Sequence, residues 1–135
     1  DFSLLFNKWF SLLTSENFSS QLDENFTPVL IQSGFELDYS FLSGGERTAV
    51  ALAYRLALNQ VINRIHSTIK TREIIILDEP TDGFSEQQLD KMRDILHELD
   101  VNQLIMVSHE SKIESFVDNV IKIKREGGFS ILEPI

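Results

Sequence analysis

Residues 73–81 read Glu-Ile-Ile-Ile-Leu-Asp-Glu-Pro-Thr. Glu73–Leu77 is a short β-branched run with a charge before it and Asp-Glu-Pro after it, the pattern of a fully buried parallel strand. Downstream, Ser85 and Gln88 form a capping pair for a helix whose apolar positions are Leu89, Met92, Leu96 and Leu99. Gln103–Val107 reads as a second buried strand. Strand–helix–strand from residue 73 onward therefore predicts an α/β fold with a parallel sheet core flanked by helices. Ser111 with Glu114 predicts a short capped helix to about Val117. Ile121 and Ile123 alternating with Lys122 and Lys124, the Glu126-Gly127-Gly128 turn, and Phe129–Leu132 predict a terminal hairpin.

Upstream, a long helix is expected from Ser43 to about His66. Ala49, Leu52, Ala53, Leu56, Ala57 and Val61 form its apolar stripe, and Val50, Leu58, Ile62 and Ile65 widen it, so more than one side should be covered. Val29–Ile31, a Ser33-Gly34 turn, and Phe35, Leu37, Tyr39 and Phe41 alternating with polar residues read as a hairpin. Phe2–Leu13 places Leu5, Phe6, Trp9, Leu12 and Leu13 at helical spacing and opens abruptly in periodic sequence, like the end of a longer helix.

The 135 residues suffice for one domain or a lobe of one, and ten phenylalanines with 42% apolar residues supply its core. No apolar run approaches the roughly 20 residues of a membrane span, and the first residues do not resemble a signal peptide. Cysteine is absent, which removes disulfide frames and thiolate metal sites. An intracellular location is expected, without membrane contact. A formal charge of −9 argues against a stand-alone polyanion binder. Lys70 with Arg72, and Lys122, Lys124 and Arg125, are the compact basic spots, and they read as solvated strand ends ahead of a nucleic-acid contact.

Two strings carry chemistry. Ser43-Gly44-Gly45-Glu46 is a capping box before an apolar helix. A plain cap does not require two glycines in the first turn, where each costs up to about 0.8–1 kcal/mol relative to alanine. Glycines also admit close approach to the backbone, and a helix start with free N–H groups suits an anion; both readings stand on the sequence. Asp78 and Glu79 are adjacent carboxylates at the C-terminal end of a parallel strand, where ligands bind in open α/β sheets. There Asp78 would hold Mg²⁺ through water and Glu79 would polarise an attacking water. His109 ends the second strand beside them and could donate a hydrogen bond to a terminal phosphate. His66 and His97 read as surface or core residues.

As a set in this order, Phe41–Glu46, Ile74–Thr81 and Val107–His109 resemble the signature motif, Walker B motif and switch histidine of ABC-type ATPases. The resemblance covers roughly residues 27–125. Glu46 in place of the glutamine usual in transporters, and the long interval from Ser43 to Asp78, resemble the chromosome-structure and DNA-repair branch. Leu42–Ala53 followed by Arg55-Leu56-Ala57 looks most like the Rad-type double-strand-break repair ATPase, an SMC-like coiled-coil protein that works with the Mre nuclease.

The resemblance implies that residues 1–135 are the C-terminal lobe of a split ATPase head. Residues 1–14 would be the coiled-coil base helix and residues 27–135 the lobe proper. No Gly-rich loop with a lysine occurs in the sequence, so an N-terminal lobe carrying the phosphate loop is the implied partner. ATP and Mg²⁺ are the implied ligands. Asp78 would be the metal residue, Glu79 and His109 catalytic, and Ser43, Gly44, Gly45 and Glu46 would bind the ATP of a second head. Such heads form an ATP-dependent dimer that gates the nuclease, with DNA engaged by the assembled complex.

In this family an aspartate usually precedes the helix after the Walker B motif. Ser85 stands there, leaving Asp82 or Glu86 as substitutes. A cohesin- or condensin-like head and a non-catalytic interaction lobe are the alternatives, with a transporter ATPase behind them.

Overall fold

The computed structural model describes residues 1–14, 18–65, 73–99 and 101–133. The elements in order are α1 (Phe2–Leu13), β1 (Phe18–Leu22), β2 (Pro28–Gln32), β3 (Phe35–Leu37), α2 (Gly44–Ile65), β4 (Ile74–Asp78), α3 (Glu86–Glu98), β5 (Gln103–Val107), β6 (Ile123–Glu126) and β7 (Phe129–Leu132). Short 3-10 turns occupy Tyr39–Phe41 and Ser111–Phe116. β4 and β5 pair in parallel, Ile76 opposite Ile105 and Asp78 opposite Val107. α3 is the crossover between them. β1-β2-β3 forms an antiparallel sheet and β6-β7 an antiparallel hairpin.

α1 supplies the heaviest part of the core. Phe6, Trp9, Phe10 and Leu13 recur at i, i+3, i+4 and i+7 and are all buried. Burying each is worth roughly 1.5–3 kcal/mol. Phe6 stacks on Phe10, and the Trp9 indole donates to Gln60 Oε1 of α2 at 3.1 Å. Ala49, Ala53 and Ala57 of α2 are fully buried, so small side chains let its backbone approach its neighbours. Leu89, Met92 and Ile95 complete the core from α3.

Several expectations change. β4 and β5 are parallel strands, but they are not buried on both faces. Ile75 and Leu77 face the core, while Ile74 is 44% and Ile76 57% exposed. On β5, Ile105 and Val107 lie open in the same way. The strand expected through Phe41 stops at Leu37. There the Asp38 carboxylate accepts from the Ser40 N–H at 2.8 Å and turns the chain into the 3-10 segment. Ser111 and Glu114 do not cap a helix: Glu110 occupies the N-cap with no side-chain bond, and Glu114 instead pairs with Lys122 at 2.8 Å. Leu58 and Ile65 lie exposed on α2. β1 was not expected at all, because Phe-Ser-Ser-Gln-Leu has little alternation to read. The positions of His66, Lys70 and Arg72 fall outside the described residues.

Candidate functional site

Parallel pairing brings the C-terminal ends of β4 and β5 together. Asp78 is the last residue of β4, and the Glu79 N–H donates to the Val107 carbonyl at 2.9 Å, extending the ladder by one bond. Glu79 then takes φ +44, a left-handed conformation held by a non-glycine residue that is followed by Pro80. Residues before proline are restricted further, and strain of this kind costs of order 1–3 kcal/mol. The twist carries the Glu79 carboxylate to His109, whose Nδ1 lies 3.0 Å from Glu79 Oε2. Glu110 Oε1 lies 4.0 Å from His109 Nε2. The hydrogen bond to Glu79 and its negative charge, followed by the charges of Glu110 and Asp82, raise the imidazole above its ordinary value of 6.5.

Behind the pair, Thr81 is fully buried, and its hydroxyl lies 3.5 Å from Ser108 Oγ, which also accepts from the Glu110 N–H. No local pattern singles out Thr81 or Ser108 ahead of the structure. Asp78 itself is exposed at the strand end. Among the described residues no group of three or more His, Cys, Asp or Glu could hold a metal. That donor set does not make a protein cage. It does fit Mg²⁺, which keeps several waters and takes one or two carboxylates plus substrate phosphates.

The second string begins α2. Ser43 Oγ accepts from the Glu46 N–H at 3.3 Å, and the Ser43 N–H donates to Glu46 Oε2 at 2.7 Å. The capping box is therefore formed. Arg47 fixes the approach, its Nε donating to the Leu42 carbonyl and its terminal nitrogen to the Ser40 carbonyl.

The two glycines do different things. A Cβ on Gly45 would lie 2.5 Å from the Gly83 carbonyl oxygen and 2.9 Å from Gln88 Oε1, so Gly45 is required by the fold of this chain. A Cβ on Gly44 would meet nothing within 4 Å, which leaves that backbone open to solvent or to a ligand. Gly83, with φ +73, is the other half of the contact and makes the turn out of Thr81-Asp82. The Asp82-Gly83 turn pair was its signal in the sequence.

Ser85 is the N-cap of α3, accepting from the Gln88 N–H at 3.3 Å, while the Ser85 N–H donates to Gln88 Oε1. Glu86 pairs with Lys112 at 2.7 Å, whereas Asp82 stays exposed near His109. Of the basic spots, Lys122 is paired to Glu114 and Lys124 to Glu126 at 3.4 Å. Both lysines are thus partly neutralised where a phosphate would need them.

A protein-family model described as SbcC/RAD50-like, Walker B motif, matches residues 19–98, more than half of the chain. The chain belongs to the SbcC/RAD50-like family. It is 38% identical to the DNA double-strand break repair Rad50 ATPase of Pyrococcus abyssi, over 93% of this chain and 15% of that protein. It is 34% identical to the Thermococcus kodakarensis protein of the same description, over 91% of this chain and 14% of that one. The chain thus spans about a seventh of the length of such relatives.

Among solved structures, the SMC head domain from Thermotoga maritima superposes with a TM-score of 0.67 at 22% identity, covering 98% of this chain and 46% of that one. An SMC head bound to the C-terminal winged-helix domain of ScpA gives 0.75 at 19%, covering 98% and 41%. These establish an SMC-type head fold for this member of the SbcC/RAD50-like family, and the sheet-and-helix architecture agrees with the one expected from residues 73–107.

Proposed function

We propose that this chain is the C-terminal lobe of an ATP-hydrolysing head that serves DNA double-strand-break repair. The observation that carries the reading is the Glu79–His109 pair, held at 3.0 Å where the two parallel strands end. Glu79 is placed to accept a proton from the attacking water. His109 donates its Nδ1–H to Glu79, and in its protonated form, which the Glu79 hydrogen bond and charge favour, it also carries an Nε2–H that can donate to the terminal phosphate. Asp78, next to Glu79 and exposed, would hold Mg²⁺, which when bound neutralises charge on the phosphate oxygens.

A phosphate loop must come from a partner lobe. The outer apolar face of β4 and β5 supports such a partner, because among the described residues Ile74, Ile76, Ile105 and Val107 stay about half exposed. The open backbone at Gly44 and the hydroxyl of Ser43 suit the phosphates of a second head's nucleotide, so that ATP joins two heads and hydrolysis releases them. In this reading the dimer gates an Mre-type nuclease, DNA is engaged by the assembled complex, and the protein works inside the cell. α1 would be the base of the coiled coil.

The test is the reconstituted head, this chain combined with the phosphate-loop lobe. Glu79→Gln should preserve ATP binding and ATP-dependent dimerisation while lowering turnover by about 10²-fold or more, the lower range for a general base. Ser43→Arg should abolish ATP-dependent dimers without unfolding the head. Undiminished hydrolysis in Glu79→Gln would remove the general-base assignment. A reconstituted head that hydrolyses no ATP would instead make this chain a non-catalytic interaction lobe.

A further inference from the structure

Gln88 touches three parts of the molecule: the loop before α3, the end of α1 and the first turn of α2. Its Oε1 accepts from the Ser85 N–H at 3.0 Å, in the loop that follows Glu79. Its Nε2 donates to the Leu13 carbonyl at 3.3 Å, one of the acceptors that the end of α1 leaves without a helical partner. The same Oε1 lies against Gly45, only 2.9 Å from where a Cβ would stand.

A glutamine amide can bond in two orientations related by a flip, and its partners decide which one holds. Here the Leu13 carbonyl demands the NH₂ group and the Ser85 N–H demands the oxygen. The orientation is therefore fixed from both sides, and it presents an oxygen to Gly45. With the Gly83 carbonyl, that oxygen forms the cradle in which the first turn of α2 sits.

We propose that Gln88 is a positioning residue for the Ser43–Gly44 anion site, setting the entry of α2 according to where the end of α1 lies. This inference rests on the ATP-clamp reading of Ser43 and Gly44. The capping role alone does not account for the bond to Leu13, since a capping box is complete with Ser85 and the Gln88 side-chain oxygen. Lys91 ties down the same end of α1 through the Thr14 carbonyl at 2.6 Å. Unlike Gln88, no contact of Lys91 with Ser85 or Gly45 is seen among the described residues. The two ties to α1 can thus be cut separately.

Gln88→Glu isolates the proposed function. Glutamate keeps the acceptor for the Ser85 N–H and is a good residue at this position of a cap. Its second oxygen would face the Leu13 carbonyl, acceptor against acceptor, so the amide bridge is lost while the cap survives. In the reconstituted head, Gln88→Glu should lower the melting temperature to about the extent that Lys91→Met does, each cutting one tie to the end of α1, and leave ATP binding by the undimerised head as in wild type. The dissociation constant of the ATP-dependent dimer should rise about tenfold, or 1.4 kcal/mol. Lys91→Met should lower the melting temperature and leave that constant unchanged.

Wild-type dimerisation by Gln88→Glu, in an assay where Ser43→Arg abolishes dimers, would overturn the positioning role and leave the clamp intact. Equal weakening by Lys91→Met would also overturn it, reducing the effect to general loosening of α1. If Ser43→Arg dimerises like wild type, the clamp itself falls and the positioning role falls with it.

Discussion

At the scale of single residues, Gly44 and Gly45 separate fold from function. Both look alike in the sequence, where either the cap or an anion would explain them. The Gly83 carbonyl and the Gln88 oxygen account for Gly45 within this chain, so only Gly44 still requires an outside reason. Gly45→Ala should destabilise the head by about 1–3 kcal/mol, the range for overpacking, because a backbone carbonyl at 2.5 Å cannot rotate aside. Gly44→Ala has open space, and it should stabilise by roughly 0.4–1 kcal/mol through the unfolded state. The same Gly44→Ala should weaken the ATP-dependent dimer if phosphates approach that backbone. Urea unfolding of both variants, read beside dimerisation, checks the pair. A destabilised Gly44→Ala, or a dimer indifferent to it, would count against the division of labour.

At the scale of elements, the ends of β4 and β5 bring together a carboxylate and an imidazole that lie far apart in the chain. The raised His109 follows from that geometry, chiefly its hydrogen bond to Glu79. The imidazole titrates higher in the folded protein than in the unfolded one. Its pairing therefore adds stability that is fully present below about pH 6.5 and fades as pH rises through the folded value. His109 is 66% exposed, so solvent screening keeps that contribution small. The titration itself is the sensitive readout: an imidazole NMR titration should give a midpoint above 6.5 in the native protein, shifted downward by Glu79→Gln. Equal midpoints would show that the pair does not form in solution.

Much of this arrangement was legible, because a strand ending in Asp-Glu-Pro and another ending in Ser-His declare their ends locally. The Ser85–Gln88 cap was legible for the same reason. Ser111 and Glu114 are spaced alike and failed, since Lys122, beyond the end of the 3-10 turn, captures the glutamate. β1 failed because Ser20 is buried by a hydrogen bond to Asn7 of α1 and not by an apolar side chain. The positive φ of Glu79, the link from Thr81 to Ser108 and the reach of Gln88 to Leu13 are tertiary facts with no local spelling.

At the scale of the whole molecule, the apolar material is divided unevenly. α1, α2 and α3 bury theirs around Trp9, while β4 and β5 bury one face and leave β-branched residues on the other. The expectation that Glu73–Leu77 is buried on both faces fails in this chain, where Ile74 and Ile76 lie exposed, although its β-branched composition is that of a strand covered on both sides. A two-stranded parallel sheet with one open face is a poor stopping point, since parallel sheets occur almost only with both faces covered. The phosphate-loop lobe is the cover we propose, and the face gives a direct way to test it.

Ile76→Thr and Val107→Thr retain β-branching and so retain the strands. Both positions are more than half exposed, which predicts a stability change within about 0.5 kcal/mol for each in this chain. If the other lobe covers them, each loses roughly 1 kcal/mol of apolar burial on association. Together they should weaken association of the two lobes by about thirtyfold, the equivalent of about 2 kcal/mol. Titrating the lobe onto the double variant by calorimetry measures this, with Leu4→Thr on α1 as a substitution at another exposed apolar position, 74% exposed. Equal affinity for wild type and the double variant would mean that the partner lobe docks elsewhere, leaving the β4–β5 face to another layer.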